Sequence, residues 1–179
     1  MCHASCLDFG KKHLTEDICK GKRVLEAGAK NINGSLRQHI ESLKPLSYIG
    51  TDIEIGPGVD HLCSALSLST LYPENSFDLV VCTETLEHIY NWASAIDNLK
   101  YVCKATGHIL LTTRSPGFPK HGYPTDFWRF TKQDMTYIFS NFIDVTIEND
   151  PQRPGVFVFA CKPIICKHIP LDSIEIVRV

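Results

Sequence analysis

At 179 residues, with 44% hydrophobic and 21% charged residues, the chain has the size and composition of one soluble globular domain that builds its core without disulfides or metals. The formal net charge of -2 provides no electrostatic footprint for nucleic acid. No apolar run approaches the roughly 18–20 residues that span a bilayer, so no membrane partner is expected.

The first residues, Met1-Cys2-His3-Ala4-Ser5-Cys6, lack the basic and apolar regions of a secretory signal, and a cytoplasmic protein is expected. Reduced thiols follow for the eight cysteines, two of which (Cys82 and Cys161) fall in strand-like apolar runs. Cys2, His3 and Cys6 look like part of a metal site, but no paired cluster with ligand spacing follows. Residues 1–20 read instead as an N-terminal cap over the site, and no metal is expected.

Along the chain, residues 13–20 read as a short leading helix and 22–27 as the first strand. A helix is predicted over about 33–43, stopped by Pro45. The second strand is 47–53, broken by Gly56-Pro57-Gly58, and a third strand (59–63) follows after too few residues for the usual helical crossover. Residues 64–76 look irregular, with one helical turn. Phe77 to Cys82 is apolar on both faces and reads as a buried central strand, with Asp78 at its start as a structural acid. Trp92, Ala95, Ile96, Leu99, Val102 and Cys103 keep helical spacing over 92–104, and 108–113 is another buried strand. After a loop over 114–130, Thr131 and Asp134 form a capping box for a helix to about Ser140. Strands at 142–149 and 155–162 close the chain as an antiparallel hairpin. This alternation predicts a Rossmann-like, doubly wound α/β domain with a seven-stranded, mostly parallel sheet and an antiparallel C-terminal strand, the whole of 1–179 forming one domain.

Ligands of such sheets bind beyond the C-terminal strand ends. On that rim the stretch Val24-Leu25-Glu26-Ala27-Gly28-Ala29-Lys30-Asn31-Ile32-Asn33-Gly34-Ser35 reads as strand, ligand-binding turn and helix start. Tyr48 to Ile53 ends in an acid, Asp52, placed to hold a ribose diol. Together they point to an adenosine-containing cofactor.

These two segments, with Ser76-Phe77-Asp78-Leu79-Val80-Val81-Cys82-Thr83-Glu84-Thr85-Leu86-Glu87-His88-Ile89 and the closing hairpin, resemble a class I S-adenosylmethionine-dependent methyltransferase of the small, type-11-like group over about residues 20–163. The resemblance implies S-adenosylmethionine as cofactor. It implies Glu26 and Gly28 beneath the methionine part, Asp52 on the ribose hydroxyls, and Thr83 and Glu84 at the methionine end. Ala29, Asn33, Gly34, Ile53 and Ala65 join them as cofactor contacts. Ser64 stands where the family often has an acid facing the adenine amino group, which leaves a hydroxyl or backbone contact there. The first loop departs from the glycine-rich form, with Asn33-Gly34 supplying the turn.

The 114–130 loop carries too much chemistry for a spacer and is expected to be a substrate lid. Arg114, His121, Tyr123, Asp126, Trp128 and Arg129 are its substrate candidates, the arginines suiting a carboxylate or phosphate. Phe127 and Phe130 read as packing residues. In-line methyl transfer needs a base only where the nucleophile keeps a proton, and His121 and His88 are the candidates, with Tyr123 orienting the acceptor. The expected acceptor is a small molecule, such as a sugar or another acidic metabolite, with a peptide acceptor left open. The protein is expected as a monomer or homodimer. Two rival readings are a non-catalytic cofactor-binding partner subunit and a nicotinamide-dependent oxidoreductase. The second is disfavoured by Lys30 and Asn33 at glycine positions of the dinucleotide fingerprint and by the short chain.

Overall fold

The computed structural model describes residues 3–122 and 125–179. Two short helices lead, α1 (Ala4–His13) and α2 (Glu16–Cys19). Then come β1 (Arg23–Ala27), α3 (Arg37–Ser42), β2 (Ser47–Asp52), β3 (His61–Leu62), a 3-10 turn (Ala65–Ser67) and α4 (Leu68–Leu71). The second half has β4 (Phe77–Thr83), a 3-10 turn (Leu86–His88), α5 (Trp92–Val102), β5 (Cys103–Arg114), β6 (Trp128–Arg129), α6 (Lys132–Ile138), β7 (Ile143–Asn149), β8 (Gly155–Cys161), a 3-10 turn (Leu171–Ser173) and β9 (Val177–Arg178). Seven strands form one sheet in the order β3-β2-β1-β4-β5-β8-β7. β1 to β5 run parallel, and β8 enters antiparallel to both β5 and β7. The expected doubly wound sheet and its closing hairpin are both present.

Both faces of the central strands are buried, which is why they read as unbroken apolar runs. Leu25, Val80, Cys82, Ile109 and Leu111 face the core under α5 and α6, while Val24, Leu79, Val81 and Leu110 face α1, α2 and α3. The α5 pattern holds as expected: Trp92, Ala95, Ile96, Leu99 and Val102 are all buried. Thr131 and Asp134 exchange both hydrogen bonds of the capping box at the start of α6. Asp78 is structural, accepting Arg23 N at 2.8 Å and Lys104 Nζ at 3.0 Å.

The missing crossover between β2 and β3 is real. The chain doubles back so that Asp60 N donates to Gly50 O at 2.8 Å, while Gly50 N donates to Asp60 Oδ2 at 2.7 Å. Arg37 clamps the same carboxylate at 2.9 Å. A Cβ on Gly50 would collide with the Gly58 carbonyl, and one on Gly58 would lie 2.6 Å from Ala29 O. Glycine at both positions lets eight residues do the work of a helix.

Several expectations need correction. The leading helix is not 13–20: α1 starts at Ala4, and its residues Cys6 and Phe9 pack on a sheet face, with the Phe9 ring 5.2 Å from Phe157. The described part of the segment is thus mainly a layer of the fold, with His3 lining the smaller cavity. Its start was hidden because His3 at the N-cap makes no side-chain cap. α3 is shorter than 33–43, because Asn31 Oδ1 accepts Gly34 N at 2.9 Å and holds that stretch as a turn. β5 begins at Cys103, through a bulge that gives Thr106 a φ of 63°. The 114–130 segment is not all loop: β6 pairs with β9, Trp128 opposite Arg178 and Arg129 opposite Val177, in a second small sheet. The seven described cysteines are free thiols; Cys2 lies outside the described residues.

The fully buried Arg129 guanidinium organises the segment that precedes β6. It holds Asp126 bidentately, Nη1 to Oδ1 at 2.5 Å and Nη2 to Oδ2 at 2.6 Å. It also donates to Phe118 O at 3.1 Å and Pro119 O at 3.0 Å. Burial alone would raise the Asp126 carboxyl; the hydrogen bonds from Arg129 and from His121 N hold it down, at about 2.

Two substitutions check these devices. Gly50→Val is expected to lower stability by about 2–3 kcal/mol through the forced collision with Gly58, read as a reduced urea midpoint. Arg129→Met is expected to cost about 3–5 kcal/mol by leaving Asp126 buried and unpaired; an unchanged midpoint would contradict the role of the pair.

Candidate functional site

The C-terminal ends of β1, β2 and β4 open into a cavity of about 580 Å³, within the roughly 300–1,000 Å³ range of ligand pockets. Its floor is Glu26, Gly28 and Ala29, then Gly34 and Ser35. Gly28 has a φ of 78°, and a Cβ there would strike the Thr85 side chain, so glycine is required by the backbone angle and by Thr85 as well. Glu26 is buried and accepts the Tyr48 hydroxyl. Burial first, and the Glu26 carboxylate next, push the Tyr48 hydroxyl well above the usual phenol range, so Tyr48 stays a neutral donor.

At the β2 end, Asp52 and Ile53 line the cavity. Asp52 Oδ2 accepts Lys30 N at 3.0 Å and Oδ1 accepts Glu54 N at 3.1 Å, which fixes the carboxylate with lone pairs still open to the cavity. Lys30 reaches Glu54 at 2.6 Å beside it. Ile53 and Ile32, 59% and 54% exposed, flank this space as apolar walls. Beyond β3 the wall continues through Cys63, Ser64 and Ala65, where Ser64 Oγ accepts Leu66 N at 3.2 Å.

The opposite end is charged and buried. Glu84 has a φ of 51°, a strained conformation for a side-chain-bearing residue, held by its N–H donating to Thr112 O at 2.8 Å. Its Oε2 meets Arg114, while its Oε1 is buried without a hydrogen-bond partner. Burial, and then the Glu87 charge, push Glu84 up to about 8 against the pull of Arg114. Arg114 also contacts Asp150 Oδ2 at 3.3 Å and His3 Nδ1 at 2.7 Å, so its charge is neutralised inside the fold. A neighbouring cavity of about 290 Å³ is lined by His3, Asn33, Glu84, Arg114, Phe118, His121 and Arg153.

Glu87, His88 and His121 form a cluster in which His88 lines the larger cavity and His121 lines both. Glu87 is fully buried; Thr113 Oγ1 donates to its Oε2 at 2.8 Å. The His88 and His121 rings meet edge to face at 4.9 Å, and both line the larger cavity. His121 N donates to Asp126 Oδ2 at 2.8 Å, and its Nδ1 lies 2.9 Å from the same oxygen. Burial lowers the His121 pKa, so the ring is neutral near pH 7.

The cofactor candidates Glu26, Gly28, Ala29, Gly34, Asp52, Ile53, Ser64, Ala65, Thr83 and Glu84 thus converge on one cavity, and Asn33 lies in the adjoining one. Of the substrate candidates, His121 borders both cavities and Arg114 the smaller. Asp126 and Arg129 do not reach either wall: they bind each other. Trp128 donates its indole N–H to Ile89 O at 3.0 Å. Tyr123 lies outside the described residues. Sequence reasoning missed Thr85, whose bulk excludes a Cβ at Gly28, and the chemistry of Glu87. The Glu84-x-x-Glu87-His88 spacing was its visible signal.

The family model described as "Methyltransferase domain" matches residues 5–144. A search of curated protein sequences gave no match. Among solved structures, a Burkholderia thailandensis 1,6-didemethyltoxoflavin-N1-methyltransferase, with its substrate and S-adenosylhomocysteine bound, superposes with a TM-score of 0.68 at 14% identity, over 88% of this chain and 78% of that one. A SAM-dependent methyltransferase from Archaeoglobus fulgidus gives 0.68 at 16% identity, over 87% and 94%. A putative methyltransferase from Haloferax volcanii, in complex with the activator Trm112, gives 0.65 at 10% identity, over 89% of each chain. At these identities the likeness concerns the fold, and the family match removes the oxidoreductase reading. The chain belongs to this methyltransferase family and is a class I S-adenosylmethionine-dependent methyltransferase.

Proposed function

We propose that the larger cavity holds S-adenosylmethionine and that a small-molecule acceptor meets the methyl group where the two cavities join, beneath a lid formed by residues 114–130. Asp52 carries this reading: a fixed carboxylate with open lone pairs, between exposed isoleucines, suits a ribose diol beside an adenine ring. Adenine lies against Ile53, with the Ser64 hydroxyl and Ala65 at its edge. The methionine end lies over Gly28, Ala29 and Gly34, towards Thr83 and Glu84. The bound cofactor supplies a methyl group activated by its sulfonium, transferred by in-line displacement.

The chain's own task is alignment and exclusion of water. His88 and His121, at the junction, handle the acceptor. Phe118 and Arg114, with the guanidinium carbon 4.4 Å from the ring centroid, form the acceptor-side wall. Since the Arg114 charge is answered inside the fold by the buried Asp150 carboxylate, the acceptor is chosen more by shape than by negative charge. The small heterocyclic substrate named for the Burkholderia enzyme supports an acceptor of this size.

The test is calorimetric titration with S-adenosylhomocysteine. Asp52→Ala removes charged hydrogen bonds worth about 1.5–3 kcal/mol, so affinity is expected to fall roughly 10- to 150-fold with the fold intact. An affinity equal to that of the unaltered protein would contradict the ribose assignment.

A further inference from the structure

Glu87 Oε1 is buried and has no hydrogen-bond partner among the described residues. The atoms that face it are the Nε2 atoms of His88 and His121, each 4.0 Å away, too far for a hydrogen bond. His88 Nδ1 is bonded to Thr125 O, which only accepts, so the ring proton of neutral His88 sits on Nδ1 and its Nε2 presents a lone pair. The His121 backbone N–H donates to Asp126 Oδ2 at 2.8 Å, and the ring Nδ1 lies 2.9 Å from the same oxygen without a hydrogen bond to it, which leaves Nε2 turned towards Glu87. A fully buried carboxylate oxygen and two imidazole nitrogens thus face one small space, a donor set that suits a cation.

We propose that Glu87, His88 and His121 bind a divalent first-row transition-metal ion whose open positions face the cavity. One ligand atom from each residue lies within 4.8 Å of the others. The triangle these separations allow has its centre about 2.5 Å from each atom, a few tenths of an ångström beyond the roughly 2.0–2.2 Å of nitrogen and carboxylate ligands. Two imidazoles and one carboxylate suit manganese, iron, cobalt or zinc better than magnesium or calcium, which prefer all-oxygen sets. Two of the ligands have an outer hydrogen bond, Thr113 on Glu87 Oε2 and Thr125 on His88, and Asp126 holds the His121 backbone N–H. A second buried, unpartnered carboxylate oxygen, Glu84 Oε1, belongs to the same cavity wall.

The site gives His88 and His121 the work of ligands rather than of bases. An acceptor hydroxyl bound at an open position would release its proton to solvent nearer neutral pH than it does in water. This choice of an oxygen acceptor rests on the cofactor reading of the cavity; the metal site does not.

The test uses cofactor-free, chelator-treated protein titrated with cobalt(II) chloride, followed by calorimetry and by visible absorption. The expected result is one ion per chain, with absorption bands of imidazole-ligated cobalt. Glu87→Gln, His88→Gln and His121→Ala are each expected to weaken binding by at least roughly 10–100-fold, the range seen when even a ligand's outer partner is lost. Their metal-free melting curves and S-adenosylhomocysteine affinities, measured alongside, separate loss of ligation from loss of fold. No saturable binding, or equal binding by a His88→Ala/His121→Ala protein, would overturn the proposal while leaving the cofactor assignment intact.

Discussion

The site depends on one buried ion pair, Arg129 with Asp126. A guanidinium and a carboxylate out of water are costly unless they are well hydrogen-bonded, and here all five guanidinium N–H groups donate and Asp126 accepts three hydrogen bonds. Arg129 gathers the carbonyls of Phe118 and Pro119, while Asp126 takes the His121 N–H. In a stretch with three prolines and two glycines between Arg114 and Asp126, Phe118, Pro119 and His121 are thereby held in place. The base of this segment is clamped in turn. Phe127 N donates to Glu87 O and Val179 N to Phe127 O, both at 2.9 Å, and β9 covers β6. The C-terminal strand thus bears on the position of the Glu87-His88 turn, although it is remote in sequence.

A second constraint is the crowding of acids at the end of β4. Glu84, Glu87 and Asp150 are all buried, and Arg114 compensates Glu84 and Asp150 but does not reach Glu87. Such an arrangement costs stability, and Glu84 adds a strained backbone angle to it. Strain and uncompensated charge of this kind collect where a fold is shaped for a ligand. The ribose end is the contrast: Asp52 is half-exposed and already anchored by two backbone N–H groups, so binding there asks for no rearrangement of the strand end.

Much of the fold was legible because the relevant signals are local. Val24-Leu25 and Leu79-Val80-Val81 declare strands buried on both faces, Trp92 to Val102 declares its helix, and Thr131-Asp134 its cap. The larger cavity was legible for the same reason: Glu26, Gly28 and Asp52, which line it, sit at strand ends that the alternation itself locates. What escaped depends on distant partners. β6 exists because Val177 and Arg178 arrive from the far end of the chain, and a two-residue strand has no period to detect. Arg129 and Asp126 look like substrate ligands in a loop; only their pairing with each other and the contacts of Arg129 with the carbonyls of Phe118 and Pro119 turn them into scaffold. α1 lacks a cap and buries few apolar side chains, so its packing on Phe157 left little trace in the sequence. The role of Glu87 was hidden because its burial follows from Thr113 on a neighbouring strand.

The central claim is that the cavity over β1, β2 and β4 is the cofactor site, with the methyl-bearing end at the junction with the smaller cavity. The most direct measurement is a crystal structure of the protein with S-adenosylhomocysteine. The account requires the ribose hydroxyls on the Asp52 carboxylate, adenine between Ile53 and Ser64, and the sulfur turned towards Glu84, His88 and His121. Ligand bound elsewhere, or bound with its sulfur at the Asp52 end, would contradict it.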